Sequence, residues 1–238
     1  MFDFADRVVM VTGAAGSLGQ RVAEAFEHAG ARLALVDRAP DRLQRLFPKL
    51  ANSPNHFLAQ SVDITNASAV ADMARQTLER LGRIDILVNT AGGYQAGMPL
   101  HETPLEVWDS LFNLNAKSVF LVSRACIPTM LEHSSGKIIN IASRAALAGA
   151  AGASVYSASK AVVVRLTESM AAELKSAGIN VNCVLPGIID TPANRQAMPD
   201  ADHSGWVTTT FIANVILFLA SDHARAVSGA ALPVFGRS

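Results

Sequence analysis

Val8-Val9-Met10-Val11-Thr12-Gly13-Ala14-Ala15-Gly16-Ser17-Leu18-Gly19 is the stretch from which the fold can be read. A wholly apolar run over residues 8–11, stopped by a glycine turn, predicts a strand buried on both faces. Beyond the glycines a helix pattern continues through Ala29-Gly30. Strand, glycine turn and helix in that order aim backbone N–H groups and a helix N-terminus at a pyrophosphate. A glycine-rich turn by itself is a weak signal, and it is the placement between strand and helix that gives this one weight.

The chain on either side repeats the alternation. Residues 32–36 form a second strand pattern that stops at Asp37, 24 residues beyond Gly13, where a carboxylate can accept hydrogen bonds from an adenine-ribose diol. That carboxylate would repel a 2′-phosphate, whereas the neighbouring Arg38 could bind one; the glycine turn itself carries no Lys or Arg, so NAD is expected over NADP. A short helix over 41–50, a third strand over 56–62 ending at Asp63, and a helix over 68–81 follow. Asp63 has two readings, cofactor contact or cap of the following turn. A fourth strand over 84–88 closes on Asn89-Thr90-Ala91-Gly92, a polar–glycine turn suited to the ligand edge of a parallel sheet.

Helix patterns over 104–114 and 117–131 meet at Asn115, whose amide competes for backbone partners and so marks a kink or a functional position. A fifth strand over 137–142, a helix over 155–177 and a sixth strand over 179–185, closed by Pro186-Gly187, come next. Residues 190–206 read as an irregular insert of the kind that forms active-site lids. A last helix over 207–220 and a last strand over 231–234 complete the pattern. The expected fold is α/β: one domain over residues 1–238, a doubly wound parallel sheet of about seven strands with helices on both faces.

Composition narrows the ligand. With 20 Lys+Arg against 20 Asp+Glu and no charge runs, a nucleic-acid or anionic-membrane footprint is not expected. The two cysteines, Cys126 and Cys183, lie in apolar patterns without metal-ligand or redox-pair spacing, as buried thiols of a reducing compartment do; no metal is expected. The start, Met-Phe-Asp-Phe-Ala-Asp-Arg, lacks the basic and apolar stretches of a signal peptide, and cytoplasmic residence is the expectation.

The chemistry is written between Ser143 and Lys160. The strand over 137–142 delivers Ser143, a small-residue loop follows, and Tyr156 and Lys160 sit four apart on one face of the next helix. A phenol with a pKa near 10 is a sluggish base at neutral pH. An ammonium about 4 Å away, at an effective dielectric near 20, contributes roughly 4 kcal/mol toward lowering it. Lys160 could supply that charge while Ser143 hydrogen-bonds the substrate oxygen, which points to interconversion of carbonyl and alcohol.

Taken in order, the glycine turn, Asn89-Thr90-Ala91-Gly92, Asn115, Ser143, Tyr156-x-x-x-Lys160 and Pro186-Gly187 resemble the short-chain dehydrogenases/reductases over nearly the whole length. The resemblance implies a Rossmann-type sheet and a catalytic tetrad of Asn115, Ser143, Tyr156 and Lys160. Tyr156 would be the acid/base, Ser143 would orient the substrate oxygen, and Lys160 would lower the phenol pKa and hold the nicotinamide ribose. Asn115 would support a water in the proton relay. It further implies cofactor contacts from Gly13, Ala15, Ser17, Leu18 and Gly19, from Asp37 with Arg38, from Asp63 with Ile64 near the adenine, from Asn89, Ala91 and Gly92, from Tyr156 and Lys160, and from Pro186, Gly187, Ile188 and Thr191 near the carboxamide. Members usually pair through the two long helices, so a homodimer or homotetramer is expected. Departures from the pattern are Ser17 where a glycine is usual, Thr90 in place of a second Asn, and a tail, Val234-Phe235-Gly236-Arg237-Ser238, without Asp-Gly-Gly.

Within that family the chain is most like the 3-oxoacyl-carrier-protein-reductase group, while the stretch from Thr191 to Trp206 looks like quinonoid dihydropteridine reductase. Ser143 favours a carbonyl or alcohol substrate over a pterin. A catalytically silent dinucleotide-binding subunit of a hetero-oligomer is the remaining alternative, against which the intact Ser-Tyr-Lys set speaks. Arg144 and Arg195 could engage an anionic substrate group, and Tyr94, Met98, Leu147 and Trp206 could line an apolar pocket or simply pack.

Overall fold

The computed structural model describes residues 2–237; Met1 and Ser238, which belong to the terminal stretches quoted above, lie outside the described residues. β1 (Val8–Thr12) runs into the glycine turn and α1 (Ser17–His28), followed by β2 (Arg32–Val36), α2 (Arg42–Leu46), α3 (Pro48–Ala51) and β3 (Phe57–Ala59). Next come α4 (Ala67–Leu81), β4 (Ile86–Asn89), α5 (Leu105–Phe112), a π-helical turn (Asn113–Lys117), α6 (Ser118–Glu132) and β5 (Gly136–Ile141). The rest is α7 (Ser154–Leu174), β6 (Ile179–Pro186), β7 (Ile189–Asp190), α8 (Pro192–Ala197), β8 (Val207–Thr208), α9 (Thr209–Ala220) and β9 (Ala231–Val234).

Seven strands form one sheet in the order β3-β2-β1-β4-β5-β6-β9, and every pairing is parallel. Strands of a parallel sheet are covered on both faces, which is why they read as unbroken apolar runs. In β1, Val9 and Val11 face a core shared with α1 and α9, while Val8 and Met10 face a second core shared with α4 and α6. After β3 the chain crosses back to lay β4 on the other side of β1, so the loops after β1 and β4 diverge and open a crevice at their carboxyl ends. Thr90 Oγ donates to the Thr12 carbonyl at 2.6 Å and stitches the two strand ends together at the mouth of that crevice.

Several elements depart from the sequence reading for local reasons. The helix expected over 41–50 is two pieces, because Pro48 bars the helical conformation to Phe47, which sits at φ −125°, ψ 57°. The third strand stops at Ala59 rather than 62: it is an edge strand, and Ser61 adopts a left-handed φ of 59° that turns the chain away. The stretch over 190–206 is not irregular. It carries α8, and β7 and β8 pair across its base at Ile189↔Val207 and Asp190↔Thr208, so residues 207–208 are strand and α9 starts at Thr209.

At the opposite end of the sheet Asp85, 3% exposed, accepts the Val8 N–H at 2.8 Å and pairs with Arg83 at 2.5 Å and Arg7 at 3.6 Å. It thereby fixes the start of β4 against β1. Asp85→Ala strands that N–H and the Arg83 guanidinium, while Arg7 keeps its contact with Asp222 at 3.9 Å; since the arginines are partly exposed the expected loss is about 2–3 kcal/mol. Urea unfolding would register this as a lower midpoint with an unchanged slope; an unaltered midpoint would remove Asp85 from the determinants of strand order.

Candidate active site

The glycine turn is shaped by close approach. Gly13 has φ +63°, and a Cβ there would lie 2.8 Å from the Ala91 Cα; at Gly19 it would lie 2.2 Å from the Gly13 carbonyl oxygen. Gly16 is less constrained: its φ is −76° and its N–H donates to the Gly13 carbonyl at 2.9 Å. The N–H groups of Ala14 and Ala15 are taken by the Val36 carbonyl and the Asp37 carboxylate. Those of Ser17, Leu18 and Gly19 open α1, which has no side-chain cap and no acid in its first turn. Three donors and the positive end of a helix thus face the crevice, a fit for the pyrophosphate of a dinucleotide.

Opposite, the π-helical turn directs Asn115 inward, with the Ser118 N–H donating five residues back to the Asn113 carbonyl. The Asn115 side chain mimics a strand partner: Oδ1 accepts from Gly93 N–H at 2.8 Å, and Nδ2 donates to the Gly93 carbonyl at 3.1 Å and to Ser159 Oγ at 3.0 Å. Ser159 in turn donates to the Tyr156 carbonyl at 2.8 Å. A Cβ at Gly92 would lie 3.1 Å from both Asn115 Oδ1 and Lys160 Nζ, which brings the loop after β4 and the Tyr-Lys helix to one point.

Lys160 is buried, and its Nζ donates to the Ile141 carbonyl at 3.0 Å. Burial pulls its pKa down to about 8, so at pH 7 the amine still carries its charge most of the time. Tyr156, half-buried, moves the other way: burial raises its pKa, hydrogen bonding to Ser143 pulls it back, and the Tyr94 phenol adds to the rise. The expected lowering by Lys160 is therefore absent within the chain itself, where the phenol is held above its ordinary value and the ammonium is turned to a backbone carbonyl. Ser143 Oγ accepts from Ala145 N–H at 3.2 Å, and the same hydroxyl is the group hydrogen-bonded to Tyr156.

The short chain dehydrogenase family model matches residues 7–202. The chain belongs to the short-chain dehydrogenase family. Subunit BbsD of (2S)-[(R)-hydroxy(phenyl)methyl]succinyl-CoA dehydrogenase from Thauera aromatica is 38% identical over 240 residues, which cover 97% of this chain and 96% of that one. The 2-(R)-hydroxypropyl-CoM dehydrogenase of Xanthobacter autotrophicus is 35% identical over 248 residues, 97% of each chain. Among solved structures, carveol dehydrogenase from Mycobacterium avium in complex with NAD matches with a TM-score of 0.90 at 26% identity, over 99% of this chain and 98% of that one. As a member, this short-chain dehydrogenase is an NAD(P)-dependent oxidoreductase with a Rossmann-type fold.

Other residues expected at the dinucleotide site of this short-chain dehydrogenase divide into those at the crevice and those used elsewhere. Asp37 stands beside the glycine turn, its two oxygens accepting from Ala15 N–H at 3.0 Å and Ala39 N–H at 2.9 Å, and Arg38 is its exposed neighbour. Asn89 turns its side chain inward, donating to Asn140 Oδ1 at 2.9 Å, and Asn140 donates on to Thr167. Asp63 makes the turn that the capping alternative foresaw: it accepts from the Thr65 N–H and hydroxyl, which lowers its pKa, while Ile64 is buried in the second core. Pro186 ends β6, the Gly187 N–H is bonded to the Val234 carbonyl, Ile188 is exposed, and Thr191 caps α8.

The two arginines considered for an anionic substrate group are committed within the fold. The Arg144 guanidinium lies 5.4 Å from the Phe235 ring centroid, and Arg195 forms a two-pronged pair with Asp190 at 2.6 and 2.9 Å. Met98 packs against the cluster of Val107, Leu111 and Val155, and Trp206 is buried beside His203. Gly93, Ser159 and Ile141 were not singled out in the sequence. The Gly92-Gly93 doublet was a local signal for the first, but the carbonyl of Ile141 has no signature a sequence could show. Among the described residues there is no group of three or more His, Cys, Asp or Glu able to hold a metal, and no helix long and apolar enough to cross a membrane.

Tyr94 and Tyr156 are the chain's two tyrosines. Tyrosinate absorbance followed against pH therefore reads these two phenols. The component lost in Tyr156→Phe is expected to have its midpoint above the ordinary value near 10; a midpoint below it would show that burial does not govern this phenol.

Proposed function

We propose that the chain interconverts a secondary alcohol and its ketone with a nicotinamide dinucleotide, and that Tyr156 is the proton donor and acceptor. The observation that carries this is the meeting of Tyr156, Ser143 and the Lys160 ammonium beside the crevice opened by the glycine turn. The dinucleotide, when bound, supplies or takes up a hydride at the substrate carbon. Ser143 donates to the substrate oxygen, Tyr156 gives that oxygen a proton in reduction and takes it back in oxidation, and Lys160 holds the nicotinamide ribose. A phenol whose pKa is raised by burial stays protonated at neutral pH, the form that donates in reduction.

Asn115 acts as a positioning residue: its amide groups are occupied by Gly93 and Ser159, so it sets the loop and the helix that carry the chemistry, and any water of the relay would be held by other atoms of the π turn. Both dehydrogenase relatives are named for hydroxy substrates, which supports an alcohol/ketone pair over a quinonoid pterin. One of them is named as a subunit, which keeps a hetero-partner in view; the Ser-Tyr-Lys set makes this chain the active member of any such pair. Exposed Phe120 and Leu131 on α6 support self-association as a homodimer or homotetramer, and two free, buried cysteines support a cytoplasmic setting.

Tyr156→Phe is expected to lower kcat by about 10²–10⁴-fold, the range of a lost general acid/base, while Kd for the dinucleotide, measured by calorimetry, stays within a few-fold. Turnover at the parent rate would remove Tyr156 from the chemistry. We assign NAD as the preferred cofactor on the placement of Asp37, whose fixed carboxylate takes a diol and repels a 2′-phosphate. Asp37→Ser should raise the NADPH/NADH ratio of kcat/KM by about 10-fold, equivalent to 1.4 kcal/mol; a parent enzyme that already prefers NADPH would overturn the assignment.

A further inference from the structure

Tyr94 is an anomaly for a folded chain. It follows Gly93, whose N–H and carbonyl are both clamped by Asn115, and three residues later the Gly97 N–H donates to the Gly152 carbonyl at 2.8 Å. The loop is thus held at both ends, yet the Tyr94 ring is 74% exposed. Its one ring contact is edge-to-face with Tyr156, centroids 4.8 Å apart at 82°. Leu147, 59% exposed, is carried by the loop after the neighbouring strand β5, which also presents Ser143. A large ring held out toward solvent against the Tyr156 phenol contributes nothing to the core, and it is placed to be covered by a ligand.

Resting on the function proposed above, we infer that the substrate bears an uncharged aromatic ring on the reacting carbon, and that Tyr94 is the residue that selects it. A ketone whose oxygen is within reach of Tyr156 and Ser143 brings a ring on the same carbon within a ring's width of the Tyr156 phenol. There the open side of Tyr94 offers the offset or edge-to-face geometry that aromatic pairs favour. Arg195, on α8, has its charge matched by Asp190, and Arg144, on the loop after β5, stands over the Phe235 ring, an arrangement that asks for no anionic arm. In the reaction the aryl ketone gains a hydride at carbon from the reduced nicotinamide and a proton at oxygen from Tyr156. It leaves as a secondary benzylic alcohol with the nicotinamide oxidised.

The test compares 3-oxo-3-phenylpropanoyl-CoA with 3-cyclohexyl-3-oxopropanoyl-CoA, two thioesters that differ in the aromaticity of one ring, on the full chain with NADH and with NADPH. We expect kcat/KM to favour the phenyl compound by about 10-fold, with the difference in KM. Tyr94→Ala should collapse that ratio toward one, and Tyr94→Phe should keep it. Equal use of the two ketones, or a preference that survives in Tyr94→Ala, would overturn the role of Tyr94 and leave the oxidoreductase reading standing. Failure to reduce either compound, or any other ketone in a screen with both cofactors, would overturn the reading itself together with the inference.

Discussion

The site depends on the absence of two side chains. At Gly13 and Gly19 the backbone of the first turn comes so near to Ala91 and to itself that a methyl group would collide with main-chain atoms. This contact lets the ends of β1 and β4, strands joined only through a long excursion to β2 and β3, come together under the Thr90–Thr12 hydrogen bond. Everything beyond β4 hangs from that junction: the space a side chain at Gly92 would need is taken by the ends of Asn115 and Lys160, Gly93 is read by Asn115, and Tyr94 reaches the phenol. Swelling the turn would displace the dinucleotide crevice and the proton donor together.

Electrostatics at the centre are those of a dry interior with few partners. Lys160 and Tyr156 are shifted in opposite senses by the same cause, since burial disfavours both the ammonium and the phenolate. The pair is therefore biased toward its least charged states. A helical spacing of four residues aligned the two groups, but it did not settle which way the amine points. That was decided by the carbonyl at the end of β5.

This contrast separates what the chain revealed in advance from what it withheld. Features set by a few consecutive residues were legible: the buried strand and glycine turn, the Tyr-x-x-x-Lys spacing, the carboxylate at the end of β2. Those set by remote partners were not. Asn89 ends a strand as a ligand contact would, yet its amide is turned to Asn140, 51 residues away. Asp63 was legible only as one of two alternatives: β3 stops short of it at Ala59, and its carboxylate is absorbed by Thr65 two residues on. The irregular look of 190–206 concealed a paired base, because a two-residue strand is too short to show a period. Pro48 carried a signal for the break that the reading of one helix over 41–50 passed over, through a rule that acts on the residue before it.

The wide turn between α5 and α6 has a consequence for side-chain phase. Val107, Leu111, Asn115 and Val119 are all buried and recur at intervals of four. On an ideal helix of 3.6 residues per turn, three such steps would carry the last of them about 120° around the axis from the first. Taking up surplus residue in one loose coil cancels that drift, so that an amide can stand in line with a hydrophobic seam without the seam winding away from its groove. Excising a single position there would rotate the rest of the cylinder and swing Asn115 off the backbone it grips.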